Sequence, residues 1–274
     1  DWIWDPCKVF SFWDYFPSAQ TMHKAGWPEK LILRAVRAKA LTILRLEGAA
    51  RSADVTKTSW SRITPNNWFD QDAIEIGFKG LKGDALQLDF NKVRQRKFFA
   101  SGTNSCLVKS LNELRSFRVK ISDDLVENGD PIFTALAPYK KNGIAKLRAL
   151  SAQRASNVAN LSLICAEIHD AVPRELRHAA SSKAASRGVS PQVIIDHCVW
   201  ASFSTFKRYY QKLMPESEVP QVDDPQFGKA IRIGSKVLEG SDKALEIRKN
   251  VMRFLNLTSS QLNFSSKSSQ RSLG

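Results

Sequence analysis

Between Pro28 and Gly48 the chain carries one long run of helical spacing, and no other stretch narrows the fold as much. Leu31, Ala35, Ala38, Leu41 and the group Leu44 to Leu46 recur at intervals of three to four, the period at which side chains share one face of an α-helix. Pro28 stands near the first turn, where a missing N–H costs nothing, and Gly48 ends the run. The pattern predicts a helix from Glu29 to Leu46 with a core built around its apolar face. The next stretch has a different period. Ile74, Ile76 and Phe78 alternate with other residues, as do Leu86, Leu88 and Phe90, with Gly80 and Gly83 between the two runs. Alternation with intervening turn residues predicts antiparallel strands. A small sheet of about three strands is therefore expected between about residues 60 and 100.

The remainder reads as helical. The aromatic-rich stretch to about Gly26, broken by Pro6 and Pro17, predicts a short helix and loop packed on the core. Arg51 to Thr56 starts a short helix, and Val108 to Phe117 resumes helical spacing. Pro138 to Gly143 reads as a basic loop containing Lys140 and Lys141, followed by one or two helices from Ile144 to about Ile168. Pro173 opens a helix that Gly188 ends, and Ser190-Pro191 is a cap and first turn for a short helix, Gln192 to Cys198. Ser204 or Thr205 caps a further helix, and Ser241 caps one from Asp242 to Leu255. Ser265 to Gly274 is serine-rich and reads as disordered. The fold class expected is mainly α with a small antiparallel β-sheet (α+β).

Charge then restricts the partner. The 274 residues carry a formal net charge of +14 with 43% hydrophobic residues. The chain is long enough for one large domain or two small ones, and its charge balance favours a polyanion, most often nucleic acid. The four cysteines are scattered without a C-x-x-C pair. That spacing argues against a zinc site and a disulfide framework, and for a reducing compartment. No apolar run approaches the roughly 20 residues of a membrane span. The opening Asp1-Trp2-Ile3-Trp4-Asp5 is neither a signal peptide nor a starting methionine, so the chain reads as a piece of a longer protein.

One region brings phosphate-binding and nucleophilic side chains together. Arg174-Glu175-Leu176-Arg177-His178 starts a helix, Trp200 follows, and Thr205 to Tyr210 ends in the pair Tyr209-Tyr210. Guanidinium is planar, permanently charged and bidentate toward phosphate, and a tyrosine hydroxyl can attack phosphorus. This set suggests DNA cleavage and rejoining through a phosphotyrosine bond.

Four separated segments resemble the catalytic domain of tyrosine recombinases, the phage-integrase family. Leu41 to Asp54 is similar to the family's apolar helix, glycine, first arginine (Arg51) and acid three residues on (Asp54). The hairpin region is similar to the turn on which the family carries a lysine. Arg174 to His178 resembles the box holding the second arginine, Arg177, and Val199-Trp200 through Tyr210 resembles the glycine–histidine/tryptophan box and its tyrosine. Arg177 to Ala184, Gly188-Val189-Ser190 and Trp200 to Phe206 are most similar to recombinases of DIRS-like retroelements and cryptons. The resemblance runs from about Trp4 to Leu213.

The resemblance implies a domain over 1–263, with a C-terminal extension from about 214 and a serine-rich tail over 264–274. It implies a tyrosine attacking a phosphodiester to leave a 3′-phosphotyrosyl link, with no cofactor. Arg51 and Arg177 would hold the phosphate, with Trp200 as a third donor. Spacing in the general family gives Tyr209 as nucleophile and spacing in the retroelement variant gives Tyr210, which is favoured. Lys82 is favoured as the acid for the leaving oxygen, with Lys79 and Lys92 as alternates. Lys79, Lys92, Arg94, Lys140, Lys141, His178 and Lys207 are expected to contact DNA. Arg174 departs from the pattern: the family usually has histidine there, and arginine cannot act as a base. His178 and His197 read as structural, His178 bonding backbone and His197 packing beneath the tyrosine helix. The implied partners are double-stranded DNA and further copies of the chain in a tetramer, with the helix near Asp242 to Leu255 docking on a neighbouring copy and no membrane. The implied setting is the nucleus for a eukaryotic mobile element, otherwise the cell interior. An N-terminal DNA-binding domain, usual in the family, is not apparent in the sequence. Two rival readings are a non-catalytic DNA-binding protein derived from such an enzyme, and an unrelated helical nucleic-acid-binding module.

Overall fold

The computed structural model describes residues 4–65, 71–79, 93–122, 129–135, 139–141, 144–169, 171–200, 204, 226–232, 234–235 and 239–270. Ten helices and two small sheets are found among them. The helices are α1 (Cys7–Asp14), α2 (Ala19–Lys24), α3 (Glu29–Glu47), α4 (Ser52–Val55), α5 (Leu107–Ser122), α6 (Ala152–Cys165), α7 (Glu175–Ser186), α8 (Pro191–Cys198), α9 (Phe227–Arg232) and α10 (Asp242–Gln270). The strands are β1 (Ile63–Thr64), β2 (Ala73–Lys79), β3 (Val93–Phe99), β4 (Tyr139–Lys141) and β5 (Ile144–Lys146). The chain is thus mainly helical with a three-stranded antiparallel sheet, as the sequence pattern predicts.

α3 is the centre of the molecule. Every side chain from Ala35 to Glu47 is buried, so the helix has no solvent face, where the spacing of leucines and alanines suggests a single apolar stripe. The polar residues on it are bound to the elements that surround it. Arg37 donates to the Thr134 carbonyl (2.8 Å), Lys39 pairs with Glu113 of α5 (3.4 Å), and Thr42 donates to Ser162 of α6 (3.0 Å). Arg45 donates to the Pro173 carbonyl just before α7 (2.5 Å), and Glu47 pairs with Arg232 of α9 (2.5 Å). A helix buried on all sides is expected to be apolar all round; here its polar groups lash neighbouring elements to it, because an unpaired buried charge is costly.

The sheet runs β1–β2–β3, all antiparallel, with Ile76 opposite both Ile63 and Arg96, and Phe78 opposite Arg94. Ile74, Ile76 and Phe78 face the core, as their alternation predicts. The partner of β2 is Val93–Phe99, not the Leu86–Phe90 run, which lies outside the described residues with its flanking Gly80 and Gly83. The basic loop expected over Pro138 to Gly143 contributes Lys140 and Lys141 to a hairpin of β4 and β5, and the helix expected from Ile144 begins only at Ala152. Ile144–Lys146 is strand because it pairs with β4, and Ser151 caps the later helix by accepting from the Arg154 N–H (3.3 Å).

α10 begins where its cap predicts, with the Ser241 hydroxyl accepting from the Ala244 N–H (3.2 Å), but its helical backbone continues to Gln270. The helical backbone thus includes residues 264–270 of the serine-rich stretch. Val251, Phe254 and Leu255 are buried, and the Phe254 ring meets Phe12, Trp13 and Phe16 with centroids 6.0, 5.4 and 5.5 Å away. Val251 and Leu255 of the apolar face expected to dock on another copy are thus buried within the same chain, where the helix packs on α1, α3 and α6, while Leu245 remains 54% exposed. Among the described residues, no helix is long and apolar enough to cross a membrane.

Candidate active site

Three turns bring the site together. The first follows α3. Ala50 N–H bonds to the Arg45 carbonyl and Ala49 N–H to that of Leu46 (both 3.0 Å), with Ala49 in the left-handed region at φ 41°. This is a Schellman turn, and it delivers the chain to Arg51, the N-cap of α4. Asp54, buried, accepts from the Arg51 backbone N–H (3.0 Å). The acid three residues after Arg51 thus fixes that residue's backbone at the helix start.

The second turn starts α7. Arg45 holds the Pro173 carbonyl, and Glu175 reaches back to the Val172 N–H (3.2 Å). Arg174 occupies the N-cap and is exposed. Arg177, one turn in, faces the interior at 5% exposure. The third turn ends α8. Trp200 N–H bonds to the Ile195 carbonyl (3.1 Å) and Val199 N–H to that of Asp196 (3.2 Å), again a Schellman turn, with Val199 left-handed at φ 51°. A β-branched residue there is an outlier, and such strain persists only where the surroundings impose it. They do so here through Arg177, whose Nη2 donates to the Cys198 carbonyl (2.5 Å) and whose guanidinium lies 5.2 Å from the Trp200 ring. Ser181 adds a bond to the Arg177 carbonyl (2.7 Å) and meets Cys198 Sγ at 3.2 Å.

Beneath these turns lies Arg96 of β3, which the sequence reading did not single out. It is 3% exposed, its Nη1 donates to the Gly48 carbonyl, and its guanidinium lies 4.6 Å from the Phe78 ring. Burial lowers its pKa to about 10, and the charges of Arg177 and Arg51 push in the same direction while Asp54 opposes them. The only local signal was its place on the core-facing side of Arg94-Gln95-Arg96-Lys97-Phe98, where Phe98 is also inward.

The histidines differ in surroundings. His178 is half-buried, and burial followed by the charges of Arg177, Arg174 and Arg51 lowers its pKa, with Glu175 opposing. His197 stacks on Phe227 (4.1 Å, 17° between planes) and meets the Glu47 carbonyl at 2.6 Å. Burial and the charge of Arg96 bring its pKa down to about 3. It joins α8, α3 and α9, a structural role.

The structure therefore gathers Arg51, Arg174, Arg177, His178 and Trp200 about one cationic centre, with Arg96 added. Lys79 and Arg94 stand on β2 and β3 at the same end of the sheet, Lys79 opposite Val93. Lys140 and Lys141 are on the separate β4–β5 hairpin. Lys82, Lys92, Lys207, Tyr209 and Tyr210 lie outside the described residues. Between the end of β3 and α9 a cavity of about 440 Å³ is lined by Glu47, Lys97, Phe99, Lys229 and Arg232 among others, and the two lysine ammonium groups each lie 5.3 Å from the Phe99 ring. No family model matches the chain, and no curated protein is similar to it at a significant level.

Proposed function

We propose that this chain is the catalytic domain of a tyrosine recombinase, cutting and rejoining duplex DNA for a mobile element. The observation that carries the reading is the meeting of Arg51, Arg177 and Trp200, from three distant stretches of sequence, around one centre of positive charge. Such a centre suits a phosphodiester: guanidinium groups oppose the charge that grows on the non-bridging oxygens as phosphorus becomes pentacoordinate, and the indole N–H is a further donor.

In the reaction, the hydroxyl of Tyr210, or of Tyr209, loses its proton and its oxygen bonds to phosphorus. The bond from phosphorus to the 5′-oxygen breaks, and that oxygen takes a proton from Lys82 or a neighbouring lysine. A 3′-phosphotyrosyl link and a free 5′-hydroxyl remain, and attack by another 5′-hydroxyl reverses the step. The covalent intermediate divides one difficult displacement into two easier ones. Arg174 cannot take the tyrosine proton, but His178, kept neutral among three arginines, has the chemistry to accept it. The enzyme acts as a tetramer on two DNA sites, in the nucleus of a eukaryotic host. Since α10 buries Val251 and Leu255 within its own chain, contacts between copies fall to its exposed Leu245 and Met252 side.

The deciding experiment is incubation with a nicked suicide duplex, read as a covalent complex on a denaturing gel. Wild type forms the complex, and one of Tyr210→Phe or Tyr209→Phe abolishes it. A second reading, a DNA-binding protein that has lost catalysis, is favoured by the exposed Arg174 in the histidine position. Binding with no covalent product would establish it.

A further inference from the structure

Arg96 is expensive to bury. Among the described residues its Nε and Nη2 have no hydrogen-bond partner, and no carboxylate forms an ion pair with it. Two further guanidinium groups, those of Arg177 and Arg51, act on it with charge of its own sign, offset in part by Asp54. A buried cation is normally retained when it is paired and fully hydrogen-bonded. Among the described residues its one bond to protein is to the Gly48 carbonyl, at the head of the turn that presents Arg51. A structural strut needs one donor there, not a charge: a neutral amide would serve.

We infer that Arg96 is a positioning residue of the phosphate site, a third guanidinium held behind Arg51 and Arg177 that fixes the Arg51 turn and supplies positive potential to a bound phosphate. This rests on the reading of the centre as a phosphate site, but not on strand cleavage. The anion completes the balance that the protein leaves open, since four arginines, Arg51, Arg96, Arg174 and Arg177, meet one buried carboxylate, Asp54, there. The tyrosine need play no part in it.

The two roles separate by substitution. Arg96→Gln keeps a donor for Gly48 and removes the charge; Arg96→Lys keeps the charge and loses the fork. Thermal unfolding is followed as inorganic phosphate is titrated into the wild-type and variant proteins, with the nicked-duplex assay run in parallel. Wild type is expected to gain stability with phosphate. Arg96→Gln should unfold within a few degrees of wild type without phosphate, yet need about tenfold more phosphate for the same gain. Arg96→Lys should stay within about threefold. Equal weakening in both variants, with lowered unfolding temperatures, would make Arg96 a strut and nothing more, and overturn the inference. A full phosphate response in Arg96→Gln, or none in wild type, would overturn it as well. A phosphate response that depends on Arg96, with no covalent complex from wild type, leaves the inference standing and removes strand cleavage instead.

Discussion

Arg177 Nη2 donates to the carbonyl of Cys198 at 2.5 Å, so one guanidinium both closes the end of α8 and sets the face on which Trp200 rests. The residue proposed to hold phosphate is therefore also a structural tie. Its two roles predict a double cost. Arg177→Ala should lose about 2–3 kcal/mol of stability, the value of a buried hydrogen bond from a charged group, and reduce covalent-complex formation by about 10²–10³-fold. Urea denaturation and the nicked-duplex assay measure the two separately. A variant with full stability and lost activity would mean that the Cys198 bond is not formed in solution.

Val199 is left-handed at the residue before Trp200. Glycine adopts that conformation without steric cost but surrenders more chain entropy. Strain at a non-glycine left-handed position is of order 1–3 kcal/mol, so Val199→Gly should raise stability by about 1 kcal/mol after the entropy and the half-buried side chain are subtracted. The unfolding temperature should rise by a few degrees. A fall would show that Val199 packing outweighs its backbone strain.

His197 makes stability depend on pH. Its folded pKa lies near 3, lowered by burial and by Arg96, whereas an unfolded-chain histidine titrates near 6.5. Between these values the unfolded state binds the extra proton. Its contribution to stability is complete above about pH 6.5 and is lost as pH falls toward 3. His197→Gln carries no such proton, so its stability should fall less steeply across that window, by up to about 1.4 kcal/mol per pH unit. Denaturation curves at pH 7.5, 6 and 5 decide it; parallel losses in both proteins would count against the burial of His197.

Lys39 is 2% exposed and meets Glu113 at 3.4 Å. Removing Glu113 strands a buried ammonium, so Glu113→Ala should cost about 3 kcal/mol, while Lys39→Met, which removes the charge and keeps the volume, should cost less than half of that. Chemical denaturation of the two variants tests the order, and an equal cost in both would make the interaction a matter of packing alone.

Several helix starts could be read from the sequence because caps are local chemistry. Pro28, Ser190-Pro191 and Ser241 each act within a turn of where they stand. The burial of α3 could not be, since Arg37, Lys39, Arg45 and Glu47 read as solvent-exposed charges until the elements that bind them are placed around the helix. β3 was hidden for the same reason: Val93-Arg94-Gln95-Arg96-Lys97 reads as a basic surface segment, and Leu86-Gln87-Leu88 alternates more cleanly. At the site, Arg51, Arg177 and Trp200 were marked by motif, which is a property of sequence order. Arg96 belongs to no motif and is distinguished only by the side of the strand it occupies.

That strand has a degenerate code. Arg96-Lys97-Phe98-Phe99 offers a cation and then an aromatic ring to the core, and it offers the same pair to the opposite face. A slip of one residue exchanges the faces of a strand, yet here it would exchange a cation for a cation and a phenyl ring for a phenyl ring. Hydrophobic matching, which usually rejects such an error, is silent at these four positions. The choice falls to shape: a forked guanidinium reaches the Gly48 carbonyl while lying against Phe78, and an ammonium has no plane with which to do both. Alignment of the sheet beneath the site is thus proofread by the difference between arginine and lysine.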